Sequence, residues 1–282
     1  MKSIARIPTG KPVSRMAARL PDEACGVFCS PKERAVGFFC PDGTFGFAGD
    51  DGAVRIAARR LEVSSPVGAC CDRWGIVVLQ LSREMLWSFD QSYGAGSRMC
   101  GAGTFASASR LLGSASPPPY GMCRTSRSSV VVALAGSNCV AAISEGALAW
   151  VIGSGKRGFL SSSSPKAAML DSPCGVCFDE GTGLIFVSDA GNAMVRAFRG
   201  QSEAAGVGAP GSRGAADGVG PAARLSSPSS IRSDRGRVAL SDGNLVRTFG
   251  ASSLDVSTPY ASSGRVIDLA MRGDDIYVLE EL

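Results

Sequence analysis

Short apolar segments alternate with small and polar residues along the chain. Residues 184–188 and 245–249 are typical, since they are rich in β-branched and aromatic side chains. Gly, Asp, Asn and Ser bound such segments, and the pairs Asp42-Gly43, Asp51-Gly52 and Asp242-Gly243 predict tight hairpin turns. The pattern therefore predicts an all-β protein built from antiparallel hairpins.

One phrase recurs at intervals of about 40–60 residues, the range in which a repeat changes the interpretation of the whole fold. It is a small residue, then Arg-Leu or a close variant, then a short gap often with Pro, then a strand. The copies are Ala18-Arg19-Leu20, Arg59-Arg60-Leu61, Ser109-Arg110-Leu111, Ala168-Met169-Leu170 and Ala223-Arg224-Leu225. Four short strands are predicted after each copy, and four-stranded units of this length are typical of propeller blades.

The repeats predict a single six-bladed β-propeller of four-stranded antiparallel blades. The blades are expected near residues 25–58, 67–100, 120–153, 174–207, 229–258 and 265–282. The last blade is incomplete, because the chain ends after two of its strands. We expect residues 2–7 to close it as the outer strand, which gives a blade of three strands and disfavours a cleaved leader.

The fourth and fifth repeats resemble the NHL family. The fourth contains Leu170-Asp171-Ser172-Pro173-Cys174-Gly175-Val176, then Val187-Ser188-Asp189-Ala190-Gly191-Asn192, then Val195-Arg196-Ala197-Phe198. The fifth has Ser241-Asp242-Gly243-Asn244 and Leu245-Val246-Arg247. The first three repeats lack Asp-x-Gly-Asn, and Ala193 stands near the position of the family's histidine. The resemblance implies a propeller fold, but a fold of this kind hosts unrelated functions.

Composition excludes several kinds of chemistry. The chain has 282 residues, 45% of them hydrophobic, and no histidine, which removes His-containing catalytic triads and His-bearing zinc sites. The pairs Cys174/Cys177 and Cys25/Cys29 fall in predicted strands, where residues three apart point to opposite faces and cannot chelate one ion. We therefore predict no metal, no cofactor and no catalytic residues.

The ten cysteines lie mostly in apolar runs. We expect them to be reduced and buried, in an intracellular reducing compartment. The cytoplasm is favoured. Mitochondria are the alternative, because the first twenty residues are basic and contain no acidic side chain. No apolar stretch is long enough to predict a membrane span.

Arginine precedes the anchor leucine in four of the five repeats. Equivalent repeat positions form a ring on one face, so we predict a basic loop face that contacts a partner. Its residues are Arg19, Arg60, Arg110, Lys156, Arg157 and Arg224. The alternative is that these side chains pair locally with Asp or with the backbone.

The predicted function is that of a non-catalytic protein–protein interaction scaffold, an accessory subunit of a larger assembly, and not an enzyme. One alternative is RNA binding through the basic face, which the net charge of +4 favours only weakly. Another is a hydrolase similar to the calcium-dependent six-bladed lactonases, which would need Glu, Asp and Asn side chains around the central channel. No small-molecule substrate is predicted.

Overall fold

The structure is a computed structural model. It describes residues 2–8, 13–30, 35–42, 44–49, 53–56, 66–72, 75–80, 85–89, 97–100, 121–126, 129–145, 147–200 and 202–282. Among these residues no helix is long and apolar enough to cross a membrane.

Nearly all regular structure in the described residues is β-strand. The first ten strands are β1 Lys2–Ile7, β2 Ser14–Arg19, β3 Gly26–Ser30, β4 Ala35–Phe39, β5 Phe45–Ala48, β6 Val54–Ile56, β7 Pro66–Asp72, β8 Gly75–Gln80, β9 Met85–Phe89 and β10 Ser97–Cys100. The next eight are β11 Met122–Ser126, β12 Ser129–Leu134, β13 Cys139–Ser144, β14 Ala147–Ile152, β15 Pro173–Asp179, β16 Leu184–Asp189, β17 Met194–Arg199 and β18 Ser202–Val207. The last seven are β19 Gly218–Val219, β20 Pro228–Asp234, β21 Arg237–Asp242, β22 Leu245–Gly250, β23 Asp255–Ala261, β24 Arg265–Arg272 and β25 Asp275–Glu281. Short 3-10 turns lie at Ala135–Ser137, Pro165–Ala167, Ala190–Asn192 and Gly220–Ala222.

The described strands form six antiparallel sheets, which are the blades. Their strand orders are β3-β4-β5-β6, β7-β8-β9-β10, β11-β12-β13-β14, β15-β16-β17-β18, β20-β21-β22-β23-β19 and β24-β25-β1-β2. The first strand of each order contacts the first strand of the next, and β24 returns to contact β3. This closed ring of inner strands confirms the predicted all-β propeller fold.

The N-terminal segment completes the last blade. β1 pairs with β25 from Lys2↔Glu281 to Ile7↔Ile276, as the sequence predicted. The prediction of three strands is wrong, because β2 pairs with β1 and becomes the outermost of four. An edge strand has only one pairing partner, so its sequence need not carry the pattern of a half-buried strand.

The fifth blade also departs from the predicted four strands. β19, which comes from the loop before the blade, pairs with the outer strand β23. This strand has only two residues, too few to show a period in sequence.

The core lies between neighbouring blades. Phe186 of the fourth blade meets Phe249 of the fifth in a T-shaped contact with ring centroids 5.5 Å apart. Near the channel the inner strands approach so closely that a Cβ atom on Gly175 would collide with the carbonyl oxygen of Ser229. This contact explains the glycine at the start of the inner strand.

Candidate functional site

The inner strands begin on one face of the propeller and end on the other. Near the beginning, Gly121 donates its backbone N–H to the Cys174 carbonyl at 2.9 Å. Near the end, Gly236 donates to Asp179 at 3.1 Å. We call the first face the loop face, because it carries the connections of residues 153–172 and 208–227. The second is the turn face.

A buried arginine fixes the first of these loops. Arg196 on β17 has a fully buried side chain and donates to the carbonyls of Met169 at 2.7 Å and Leu160 at 3.0 Å. Its Nε and Nη2 atoms also pair with the two Glu203 carboxylate oxygens, at 2.8 and 2.6 Å. The Phe159 ring lies 5.2 Å from the guanidinium carbon. Residues 159–169 are therefore held to the body of the blade.

The Asp-x-Gly-Asn sequence has a structural role at the same place. Asp189, at the end of β16, accepts hydrogen bonds from the Asp171 N–H at 2.7 Å and from Asn192 Nδ2 at 2.8 Å. Arg196 Nη1 lies 3.5 Å from Asp189 Oδ2, the oxygen that also accepts the Asn192 hydrogen bond. Asn192 also donates to the Gly158 carbonyl at 2.9 Å. These residues hold both ends of the loop.

The fifth blade repeats this arrangement with one difference. Asp242 accepts from the backbone N–H groups of Ser226 and Ser227, at 2.8 and 2.6 Å. Arg247 pairs with Asp242 and donates to Asp217 at 2.9 Å. In the fifth blade the second acid therefore comes from the loop, whereas in the fourth blade Glu203 comes from the outer strand β18.

Three of the predicted loop-face cations, Lys156, Arg157 and Arg224, lie in the described loops of that face. Arg157 is 76% exposed and its Nε lies 3.0 Å from both carboxylate oxygens of Asp171. Arg224 donates to carbonyls of its own loop, including Pro221 at 2.6 Å. Lys156 is exposed, and its backbone N–H donates to Ser154 Oγ at 3.4 Å. For Arg157 and Arg224 the structure shows the local pairing that was the alternative interpretation.

The structure does not describe the side chains of the other three cations. Arg19 lies in β2, but its side chain is outside the described part of the chain. Arg60 and Arg110 lie outside the described residues. A basic ring on the loop face therefore stays a prediction.

The loops also expose apolar side chains. Phe159 is 41% exposed, Leu160 is 46% exposed and Val219 is 57% exposed. Sequence reasoning did not assign them to a site, because an apolar residue within a loop does not show whether it points inward. Large exposed apolar side chains on ordered loops are candidates for partner contacts.

A cavity of about 720 Å³ opens on the turn face, where the inner strands end. Its lining includes four arginines and four cysteines, namely Arg124, Arg232, Arg235, Arg272, Cys29, Cys70, Cys123 and Cys177. The sequence did not predict this site, because its residues come from equivalent ends of strands that are far apart in the chain.

The buried carboxylates near this cavity are already engaged. Asp179 accepts hydrogen bonds from Thr182, from Ser233 at 2.8 Å and from the Gly236 N–H at 3.1 Å. Burial alone would raise the pKa of Asp179, but these hydrogen bonds outweigh it and hold the pKa below its usual value.

Asp268 is also engaged, and its hydrogen bonds join three blades. It accepts from the Val27 N–H at 3.0 Å, from Ser230, and from Arg232 at 3.0 Å. Within the described residues no group of three or more Cys, Asp or Glu side chains is placed to hold a metal ion. Asp179 and Asp268 therefore connect neighbouring blades.

Two of the thiols that line the cavity, those of Cys29 and Cys177, are protonated at neutral pH. Burial raises the pKa of Cys29 to about 12 and holds that of Cys177 above its usual value. No described cysteine is in a disulfide with another described one. A thiol that remains protonated is a poor nucleophile and metal ligand.

Asp189 is expected to make the stability of the fold depend on pH. Burial raises its pKa to about 6, despite hydrogen bonds from Asn192 and Asp171 and the nearby Arg196. The folded protein therefore binds the proton more tightly than the unfolded chain, so the stabilising contribution is full below about pH 4 and is lost as the pH rises through about 6, roughly 3 kcal/mol in all. We expect the difference in unfolding free energy between the native protein and Asp189→Asn to fall by this amount over that range, as measured by urea titrations. An Asp189 pKa below 4, by carboxyl NMR, would contradict it.

No protein-family model matches the sequence, and no curated protein matches it significantly. Solved structures do resemble the fold. A protein of unknown function from Bacteroides thetaiotaomicron has 13% identity and a TM-score of 0.64, over 99% of this chain and 76% of its own. XC5397, a gluconolactonase from Xanthomonas campestris, has 14% identity and a TM-score of 0.62, over 97% and 91%. A chain of a nidogen/laminin complex has 14% identity and a TM-score of 0.56, over 91% and 93%. At these identities the likeness supports the β-propeller fold alone.

Proposed function

We propose that this propeller is a non-catalytic scaffold that binds a partner protein through its loop face, as an accessory subunit of a larger assembly. The observation that carries the proposal is the loop of residues 153–172, which is anchored to the blade and exposes two large apolar side chains. Arg196 holds the loop backbone to the blade, while Phe159 and Leu160 stay 41% and 46% exposed near Lys156. A preformed loop loses little conformational entropy on binding, and exposed apolar side chains can supply the buried centre of an interface.

The hydrogen bonds that Asp179 and Asp268 make with neighbouring blades favour a binding protein over a hydrolase. A lactonase-like site would need carboxylates available to a bound ion or substrate, and Asp179 and Asp268 are already held by neighbouring blades. The similarity to a gluconolactonase is a similarity of fold, and the nidogen/laminin structure has the same kind of fold within a protein complex. We also infer that the blades are of the NHL type. The equivalent contacts of Asp189 and Asp242, and of Arg196 and Arg247, support this inference.

The test is affinity purification from the native cell with a pair of matched variants. Lys156→Glu with Leu160→Asp changes a cation and an apolar side chain on the loop face. Arg235→Glu with Val13→Asp makes the same kinds of change at exposed positions on the turn face. We expect the loop-face variant to lose a stoichiometric set of partner proteins that the turn-face variant retains, with both variants folded by circular dichroism.

Two outcomes would contradict the proposal. One is a partner set that is unchanged by the loop-face variant. The other is recovery of the protein alone, or only with nuclease-sensitive RNA, which would favour the enzyme or RNA-binding alternatives.

A further inference from the structure

The outer edges of the fourth and fifth blades differ. In the fifth, the loop before the blade supplies β19, which pairs with β23 at Gly218↔Val256 and Val219↔Asp255. Asp217 fastens this segment, since it accepts hydrogen bonds from the Thr258 N–H at 3.2 Å and from Thr258 Oγ1 at 2.7 Å. The edge of the fifth blade is thus covered by the chain itself.

In the fourth blade the same edge is open. β18 is the outermost strand, and no other strand of the described residues pairs with its outer side. The corresponding loop segment is residues 161–164, which precedes the 3-10 turn Pro165–Ala167 as residues 217–219 precede the turn Gly220–Ala222. A groove of about 610 Å³ separates this segment from β18. Its walls include Phe159, Ser161, Ala204, Ala205, Gly206 and Pro210.

The position of one acidic residue accounts for the difference. Arg247 draws the loop toward its blade because its partner Asp217 belongs to that loop. Arg196 instead pairs with Glu203, which belongs to β18 itself. Residues 161–164 are four serines and offer no carboxylate, so they have no charged group that would hold them against the strand.

We propose that an extended, uncharged segment of a partner protein enters this groove and adds to β18 as a fifth strand. The inference rests on the proposed scaffold function and specifies how the partner would be held. An exposed strand edge offers backbone N–H and C=O groups to an added strand. In β18 the small residues Ala204, Ala205 and Gly206 leave room for an added strand. The pairing of β19 with β23 shows that an outer strand of this propeller can accept one.

The charges of the groove restrict the incoming segment. Glu203 is the one charged residue in the lining, and Arg196 already neutralises it. A charged side chain entering the groove would lose its hydration without gaining an ion-pair partner. The segment should therefore consist of small uncharged residues such as Gly, Ala, Ser and Val.

The test uses a capped synthetic hexapeptide, Ala-Ser-Gly-Val-Gly-Pro, which copies residues 216–221 with serine in place of the aspartate. Binding is followed by the amide NMR shifts of β18 in the native protein. We expect saturable shifts in β18 and in residues 161–163, and about tenfold weaker binding when alternate peptide nitrogens are methylated and cannot donate. Ala204→Asp should abolish the shifts. Ala149→Asp should not, although it lies at the matching exposed position of β14, which has the same burial pattern along the strand.

Several results would overturn the inference. These are equal binding to the Ala204→Asp variant, equal binding of the methylated peptide, and the absence of saturable shifts. If Ala204→Asp leaves the partner set unchanged while Lys156→Glu with Leu160→Asp removes it, the groove inference fails and the scaffold proposal stands. If neither variant changes what the protein binds, the scaffold proposal itself fails.

Discussion

Replacing Arg196 with alanine is expected to lower the free energy of unfolding by about 3–5 kcal/mol, the usual result of breaking a buried ion pair from one side. The guanidinium is completely buried and contacts both Asp189 and Glu203. Without it, these carboxylates lose their counter-charge, and the carbonyls of Met169 and Leu160 lose their donor. The loop of residues 153–172 would be released together with the loss of stability.

Urea denaturation measures this effect, with two variants for comparison. Arg199→Ala removes an exposed arginine from the end of the same strand and should change stability by no more than about 0.5 kcal/mol. Arg196→Lys keeps the charge but not the planar set of donors, so it should lie between the native protein and Arg196→Ala. If Arg196→Ala were as stable as Arg199→Ala, Arg196 would not be the anchor of the loop.

Deleting residues 1–20 is expected to prevent formation of a stable monomer. β1 pairs with β25 along its whole length, and Ile4 and Ile7 are buried in the last blade. The two isoleucines alone contribute roughly 3–6 kcal/mol, at roughly 1.5–3 kcal/mol for each buried side chain. Whole domains have a net stability of only about 5–15 kcal/mol. The deletion would also expose the edge of β25, which favours aggregation.

The control for this deletion keeps every strand. In a circular permutant, residues 1–20 follow Leu282 through a short flexible linker, and the chain begins at Pro21. Lys2 lies opposite Glu281 across β1 and β25, so a short hairpin connection can join the ends. We expect the permutant to be monomeric and folded by size-exclusion chromatography and circular dichroism, and the deletion variant to aggregate. A monomeric deletion variant with native stability would show that ring closure does not depend on β1.

Arginine recurs at two positions of the repeat, before the anchor leucine and within the third strand of the blade. The sequence identified both positions but did not show which of these arginines is buried. The recurring Arg-Leu phrase located the repeats, but it also drew attention to Arg224, whose side chain bonds to carbonyls of its own loop. Among the arginines that the structure describes, those with fully buried side chains are Arg196 and Arg247, in the strands. Their sequence positions were visible in the repeat motif. Their burial was not, because the carboxylates and carbonyls that compensate the charge come from neighbouring strands and from loops up to 36 residues away.

The sequence by itself determined the all-β class, the repeat and the N-terminal strand that completes the last blade. The all-β class depends on local alternation of side chains and on turn residues. The repeat depends on one phrase recurring along the chain, and the closing strand on the resemblance to propellers whose last blade is completed by the other terminus. Only the tertiary structure decided which carboxylates are engaged and that a cavity opens on the turn face. It also decided that β23 pairs with β19, whereas no strand of the described residues pairs with the outer side of β18. These features are distances between segments far apart in the chain. They depend on how the blades pack, and a single acid that belongs to a strand in one blade and to a loop in the next is enough to change them.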